Sequence, residues 1–173
     1  MSKLHHSDFV AILAHIYKPK VYLELGLYTG ETFTKVKRTV SNIGSRCIGV
    51  DIKEPPVTGE IYVQTTDEFF ENFNESVDMI FIDADHRYES VLKDLENSLK
   101  ILNRRGCVVL HDTDPENDSL FDPRYCGDSY KIVNDLERRE DLNITTFPIR
   151  EAGLSVVTWK NSTRTHLRKK DER

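Results

Sequence analysis

The stretch Val21-Tyr-Leu-Glu-Leu-Gly-Leu-Tyr-Thr-Gly-Glu-Thr32 decides how the rest of the chain is read. Val21, Leu23 and Leu25 are apolar and β-compatible in a run too short for a helix, as in a central strand of a parallel sheet. The run breaks at Glu24, turns through Gly26 and Gly30, and passes into a helical pattern that buries Phe33, Val36 and Val40. Strand, loop and helix in this order place a ligand beyond the carboxyl end of the strand, where the helix start offers free backbone N–H groups. The glycine spacing narrows the choice of ligand. A dinucleotide fingerprint counted from Gly26 requires glycines where Tyr28 and Glu31 stand, so a nicotinamide-dependent oxidoreductase is disfavoured. No Gly-Lys-Ser/Thr follows to make a P-loop. What remains suits a nucleoside with a short zwitterionic tail better than a phosphate chain.

Three later apolar runs also end in ionisable residues. Cys47-Ile-Gly-Val-Asp51 ends in a carboxylate that can accept the hydroxyl hydrogens of a ribose. Asp78-Met-Ile-Phe-Ile-Asp83-Ala-Asp85-His86 brings Asp83, Asp85 and His86 together at one strand end, a crowding that is expensive unless it binds something. Cys107-Val-Val-Leu-His111-Asp112 points His111 and Asp112 toward the same cleft. Ile61-Tyr-Val63 is a further short strand, and Asp67 is the expected N-cap of the helix that starts with Phe69 and Phe70.

The segment Glu-Leu-Gly-Leu-Tyr-Thr-Gly-Glu-Thr, with the acids at the later strand ends, resembles class I S-adenosylmethionine-dependent methyltransferases, and particularly the small-molecule O-methyltransferases. The resemblance covers nearly the whole chain. It implies S-adenosylmethionine as cofactor. Glu24, Gly26, Gly30, Thr32, Asp51 and Asp83 would form its site: the two glycines pass the methionine part, Thr32 and the helix start receive its carboxylate, and Asp51 holds the ribose. It also implies a catalytic group of Asp83, His86, His111 and Asp112, with His86 as the first choice of base and His111 as its rival. Asp83, His111 and Asp112 could hold a divalent cation such as Mg or Mn. The chain departs from its relatives here: catechol-type members carry Lys in place of His86, and metal-dependent members carry Asp-Asn in place of His111-Asp112.

The fold expected is a three-layer α/β/α Rossmann-like sheet, mostly parallel, with an antiparallel hairpin at its C-terminal edge from Asn143–Ile149 and Gly153–Lys160. One domain spans 1–160, and a basic tail spans 161–173. Ser7 is expected to cap a first helix bearing Phe9, Ile12, Leu13 and Ile16, which Pro19 ends; His5, His6 and His15 read as surface histidines. The segment 114–127, rich in Asp, Pro and Asn, reads as a lid over the acceptor.

At 173 residues, 38% hydrophobic and 31% charged, the chain suits one domain with a real core. No apolar run approaches a membrane span and no signal-peptide core follows Met1, so a cytoplasmic location is expected. Cys47, Cys107 and Cys126 read as reduced core residues. The formal charge is −5 although Arg164, Arg168, Lys169, Lys170 and Arg173 crowd the tail, so the body is more acidic still and would repel phosphate backbones. A small-molecule acceptor is therefore expected, with no nucleic-acid or membrane partner. The competing expectation is a nucleoside-binding or scaffold protein that keeps the fold and has lost turnover.

Overall fold

The computed structural model describes residues 4–160; the tail 161–173 lies outside the described residues. Seven strands form one sheet: β1 (Val21–Leu25), β2 (Arg46–Asp51), β3 (Glu60–Val63), β4 (Val77–Ile82), β5 (Leu102–His111), β6 (Leu142–Phe147) and β7 (Leu154–Trp159). Their spatial order is β3-β2-β1-β4-β5-β7-β6. The chain runs outward from β1 to β3, then restarts at β4 beside β1, so a crevice opens above these two neighbours, where α/β folds place ligands.

β7 is antiparallel both to β5 and to β6. The expected C-terminal hairpin is present, but its second strand inserts between β5 and its own partner. β6 is left as the edge, parallel to the body of the sheet, and β7 alone runs against it.

Five helices cover the two faces: α1 (His6–Tyr17), α2 (Glu31–Thr39), α3 (Thr66–Asn72), α4 (Tyr88–Ile101) and α5 (Ile132–Glu137). Period-two alternation decides what each face receives. Leu23, Leu25, Ile80, Ile82, Val108 and Leu110 pack with Val91, Leu95 and Leu136 under α4 and α5. Tyr22, Met79, Phe81, Cys107 and Val109 pack with Val10, Ala14, Phe33 and Val36 under α1 and α2. Both faces are apolar, which is why the strands read as continuous apolar runs and not as alternating ones.

Local chemistry sets the helix ends, in two places by residues other than those expected. His5, not Ser7, caps α1: its ring accepts the Ser7 N–H, and Ser7 lies inside the first turn, its hydroxyl donating to Glu31 at 3.0 Å. Lys18 then enters the left-handed region at φ 49°, consistent with the bar on right-handed helix before Pro19. Thr65, not Asp67, caps α3, in a capping box with Glu68. The three cysteines are free and buried. Among the described residues no helix is long and apolar enough to cross a membrane.

Candidate active site

A cleft of about 1670 Å³ runs along the carboxyl ends of the strands, from Asp51 and Thr65 at one end, past Gly26 and Asp83, to His111, Cys126 and Arg150 at the other. A typical ligand pocket holds roughly 300–1,000 Å³, so there is room for two reactants side by side.

The loop after β1 is held by Asp51. Its Oδ2 accepts the N–H groups of Leu27 at 2.7 Å and Tyr28 at 3.0 Å, and its Oδ1 accepts that of Lys53 at 3.0 Å. Burial alone would raise this carboxyl, but the backbone donors of Lys53, Tyr28, Leu27 and Ile52 outweigh it and hold it below the usual range. Two lone pairs serve each carboxylate oxygen, so the Leu27 and Tyr28 donors already fill Oδ2. Gly26 stands at φ 83°, and a Cβ there would overlap the Asp83 carbonyl; no other residue fits between the tips of β1 and β4.

Three of the residues expected at the cofactor lie away from the cleft wall. Glu24 shares its strand face with Tyr22, so it points under α2, where it is buried and accepts the Tyr22 hydroxyl at 2.5 Å. Burial raises its pKa to about 8 against the hydrogen bond from Tyr22. Gly30 is the left-handed N-cap of α2 at φ 70°, and the space a side chain would take is filled by Val57 from the β2–β3 loop. Thr32 is buried inside the first turn of α2.

The other end of the cleft gathers four ionisable groups from two strand ends. His111 Nδ1 lies 3.0 Å from Asp83 Oδ1 and 3.1 Å from Asp112 Oδ1. His86 Nε2 lies 3.5 Å from Asp112 Oδ2 and 3.9 Å from Asp83 Oδ1, too far for direct hydrogen bonds. Burial would pull the His111 imidazole down, but the two carboxylates outweigh it and carry it to about 10. Burial alone would raise Asp83; His111, His6 and His86 hold it below the usual range instead. Asp112 adopts φ 60°, a left-handed conformation uncommon for any residue but glycine, and its carbonyl is tied by the Ser129 hydroxyl at 2.9 Å.

Two of the three expected metal ligands, Asp83 and Asp112, lie together with His86. Ligand atoms of Asp83, His86 and Asp112 all lie within 4.8 Å of one another, a spacing that two carboxylates and an imidazole around one ion can meet. His111, the imidazole of the expected set, stands with its Nδ1 beside the same two carboxylates.

Several residues of the cleft were not singled out by sequence reasoning. His6, read as a surface group, lies on the cleft wall with its ring 4.4 Å from that of His111. Burial and the neighbouring His111 charge push it down to about 4. Its place follows from α1 lying over the face that Cys107, Val109 and His111 share. Cys126 donates to Asp112 Oδ1 at 3.3 Å, with its thiol pushed up to about 12 by burial and that carboxylate. Leu120, Pro123, Arg124 and Tyr125 line the cleft from the 114–127 segment, which contains a short 3₁₀ turn at Asp118–Phe121. Asp94 of α4, buried at the β3 end, carried no signal beyond its place in a helical pattern.

A family described as "Methyltransferase domain" matches residues 23–113, more than half of the chain, from β1 to the residue after Asp112. The chain belongs to this methyltransferase domain family. The match holds Asp51, Asp83, His86, His111 and Asp112, and leaves out α1 and the segment over the cleft. No curated protein matches the chain. Among solved structures, this methyltransferase is similar to a SAH-bound methyltransferase of Podospora anserina, at 16% identity and TM-score 0.72, covering 93% of this chain and 80% of that one. It is similar to an O-methyltransferase of Bacillus cereus in complex with SAH, at 17% identity and TM-score 0.70, covering 89% and 80%. A third is the O-methyltransferase TomG of Streptomyces achromogenes, involved in tomaymycin synthesis and solved with SAM, at 16% identity and TM-score 0.70, covering 90% and 79%. At such identities the likeness is one of fold.

Proposed function

We propose that this methyltransferase takes its methyl group from S-adenosylmethionine and delivers it to a hydroxyl of a small-molecule acceptor. The observation that carries the reading is the division of one cleft into two ends. Gly26, Tyr28 and Asp51 line one end, which suits a nucleoside, and Asp83, His86, His111 and Asp112 line the other, polar end. The solved neighbours crystallised with SAM or SAH support the first half of the reading.

S-adenosylmethionine supplies, when bound, an electrophilic methyl on a sulfonium whose positive charge is lost in the transfer. The protein's part is to align an acceptor oxygen with that carbon and to take its proton. His111 is held by Asp83 and Asp112 and orients them. His86 is the better placed base, because it lines the cleft and its Nε2, at 3.5 and 3.9 Å from the two carboxylates, is not tied by a direct hydrogen bond to either. Asp83, His86 and Asp112 would hold a divalent cation, which when bound supplies Lewis acidity to an acceptor oxygen. In that arrangement the base role passes from His86 to another group at the cleft.

Incubation with S-adenosylmethionine and a panel of sugars, phenols and hydroxylated antibiotics, read by mass for the gain of one methyl, tests the reading. Methylation on oxygen supports it. Tight binding of S-adenosylmethionine with no product across the panel supports the alternative, a binding protein without turnover.

A further inference from the structure

The turn between β6 and β7 stands at the reacting end of the cleft. β7 begins with Leu154 opposite His111, the last residue of β5. The turn before it is tied to the chain that follows Asp112: the Asp114 N–H donates to the Ala152 carbonyl at 2.8 Å, and the Glu116 N–H to that of Glu151 at 2.7 Å. Within this turn Arg150 adopts φ 54° and lines the cleft. Glycine would take that left-handed conformation without strain, yet the chain carries the longest of its basic side chains there.

The guanidinium has no partner to explain its place. Other cations along the cleft are already neutralised: Arg87 pairs with Asp85 at 2.5 Å, Lys93 with Asp67 at 2.6 Å, and Arg124 with Asp122 at 2.8 Å. Lys53 belongs to the nucleoside end, where its N–H donates to Asp51. Arg150 is exposed, and no carboxylate stands within ion-pair distance of it among the described residues, its neighbour Glu151 included.

We propose that Arg150 holds an anionic group, a carboxylate or a phosphate, on the methyl acceptor, so that the protein selects small molecules carrying both a hydroxyl and an anion. This rests on the reading of the cleft as the site of methyl transfer from S-adenosylmethionine. A guanidinium is always charged, and its planar fork fits either anion through two parallel hydrogen bonds. Asp83, Asp112 and Glu151 line the same end and repel an anion that arrives without a partner. A cation on a tied turn offsets that repulsion and gives the acceptor a second point of attachment besides its hydroxyl.

The test is calorimetric titration of the full chain, first saturated with S-adenosylhomocysteine, with matched pairs that differ in one anionic group. The pairs are para-hydroxybenzoate with para-hydroxybenzamide, and glycerol phosphate with glycerol. The wild type should bind the anionic member of at least one pair about tenfold or more tightly than its neutral partner, the size of hydrogen bonds to a charged group, and the pair that shows the preference tells carboxylate from phosphate. Arg150→Gly suits the left-handed backbone, so it should keep the fold, checked by urea unfolding, while the preference falls to near one. Arg150→Lys keeps the charge without the fork and should fall between. Equal wild-type affinity within both pairs, absence of binding included, overturns the proposal. So does a folded Arg150→Gly that keeps the wild-type preference. A wild type that does not bind S-adenosylhomocysteine removes the cofactor reading and this proposal with it, and the first titration shows that separately.

Discussion

Asp51 Oδ2 accepts the backbone N–H of Leu27 at 2.7 Å, so the acid at the end of β2 is part of the loop that follows β1. A residue serving ribose alone could be changed without harm to the free protein; Asp51 could not. Asp51→Asn places an amide N–H against either the Leu27 and Tyr28 donors or the Lys53 donor. We expect it to destabilise the free protein by about 1–3 kcal/mol and to weaken nucleoside binding as well. Urea unfolding and calorimetric titration check the two halves, and an unchanged unfolding midpoint with weaker binding would return Asp51 to a purely ligand-facing role.

Glu24 makes a different prediction. Its folded pKa of about 8 lies above an ordinary value of 4.5, so between these the folded protein holds a proton that the unfolded chain releases. Its contribution is fully present below about pH 4.5 and is lost as pH rises through about 8, by up to about 1.4 kcal/mol per pH unit. Glu24→Gln stays neutral at every pH and should flatten the stability profile across that window. Melting temperatures of the two proteins at a series of pH values decide it; parallel profiles would mean that Glu24 is ionised in its buried place.

Gly30 is constrained by Val57 and by its own backbone. Gly30→Ala should destabilise the fold by about 1–3 kcal/mol through overlap and left-handed strain. Removing the overlapping methyls in Gly30→Ala/Val57→Ala should restore part of the loss, the conformational share remaining. A double-mutant cycle in urea measures this, and additive losses would show that the two residues do not meet.

The strand ends were legible in the sequence because an apolar run that stops at a carboxylate has few alternatives in a parallel sheet. Asp51, Asp83, His86, His111 and Asp112 all reach the cleft for that reason. Which way a side chain points was less legible. β1 is covered on both faces, so nothing in its composition distinguishes the face of Tyr22 and Glu24 from that of Leu23 and Leu25. The same ambiguity hid His6, whose place depends on α1 lying over the face of His111. Thr65 won the cap of α3 over Asp67 because Glu68 stands three residues after it and completes the box. The insertion of β7 between β5 and β6 is a choice of pairing partner, which local patterning does not encode.

The most direct measurement is of turnover and cofactor affinity together, in the wild type and in Asp112→Asn, with any acceptor the wild type methylates. Asp112 touches His111 and Cys126 and lies near His86. We expect Asp112→Asn to lower the turnover number by about 10²-fold or more while the dissociation constant for S-adenosylmethionine stays within a few fold. Repeating the assay after exhaustive chelation, with and without added Mg or Mn, separates a cation held by the cluster from proton transfer by the side chains alone. Loss of cofactor binding in step with turnover would contradict the division of the cleft into a nucleoside end and a reacting end.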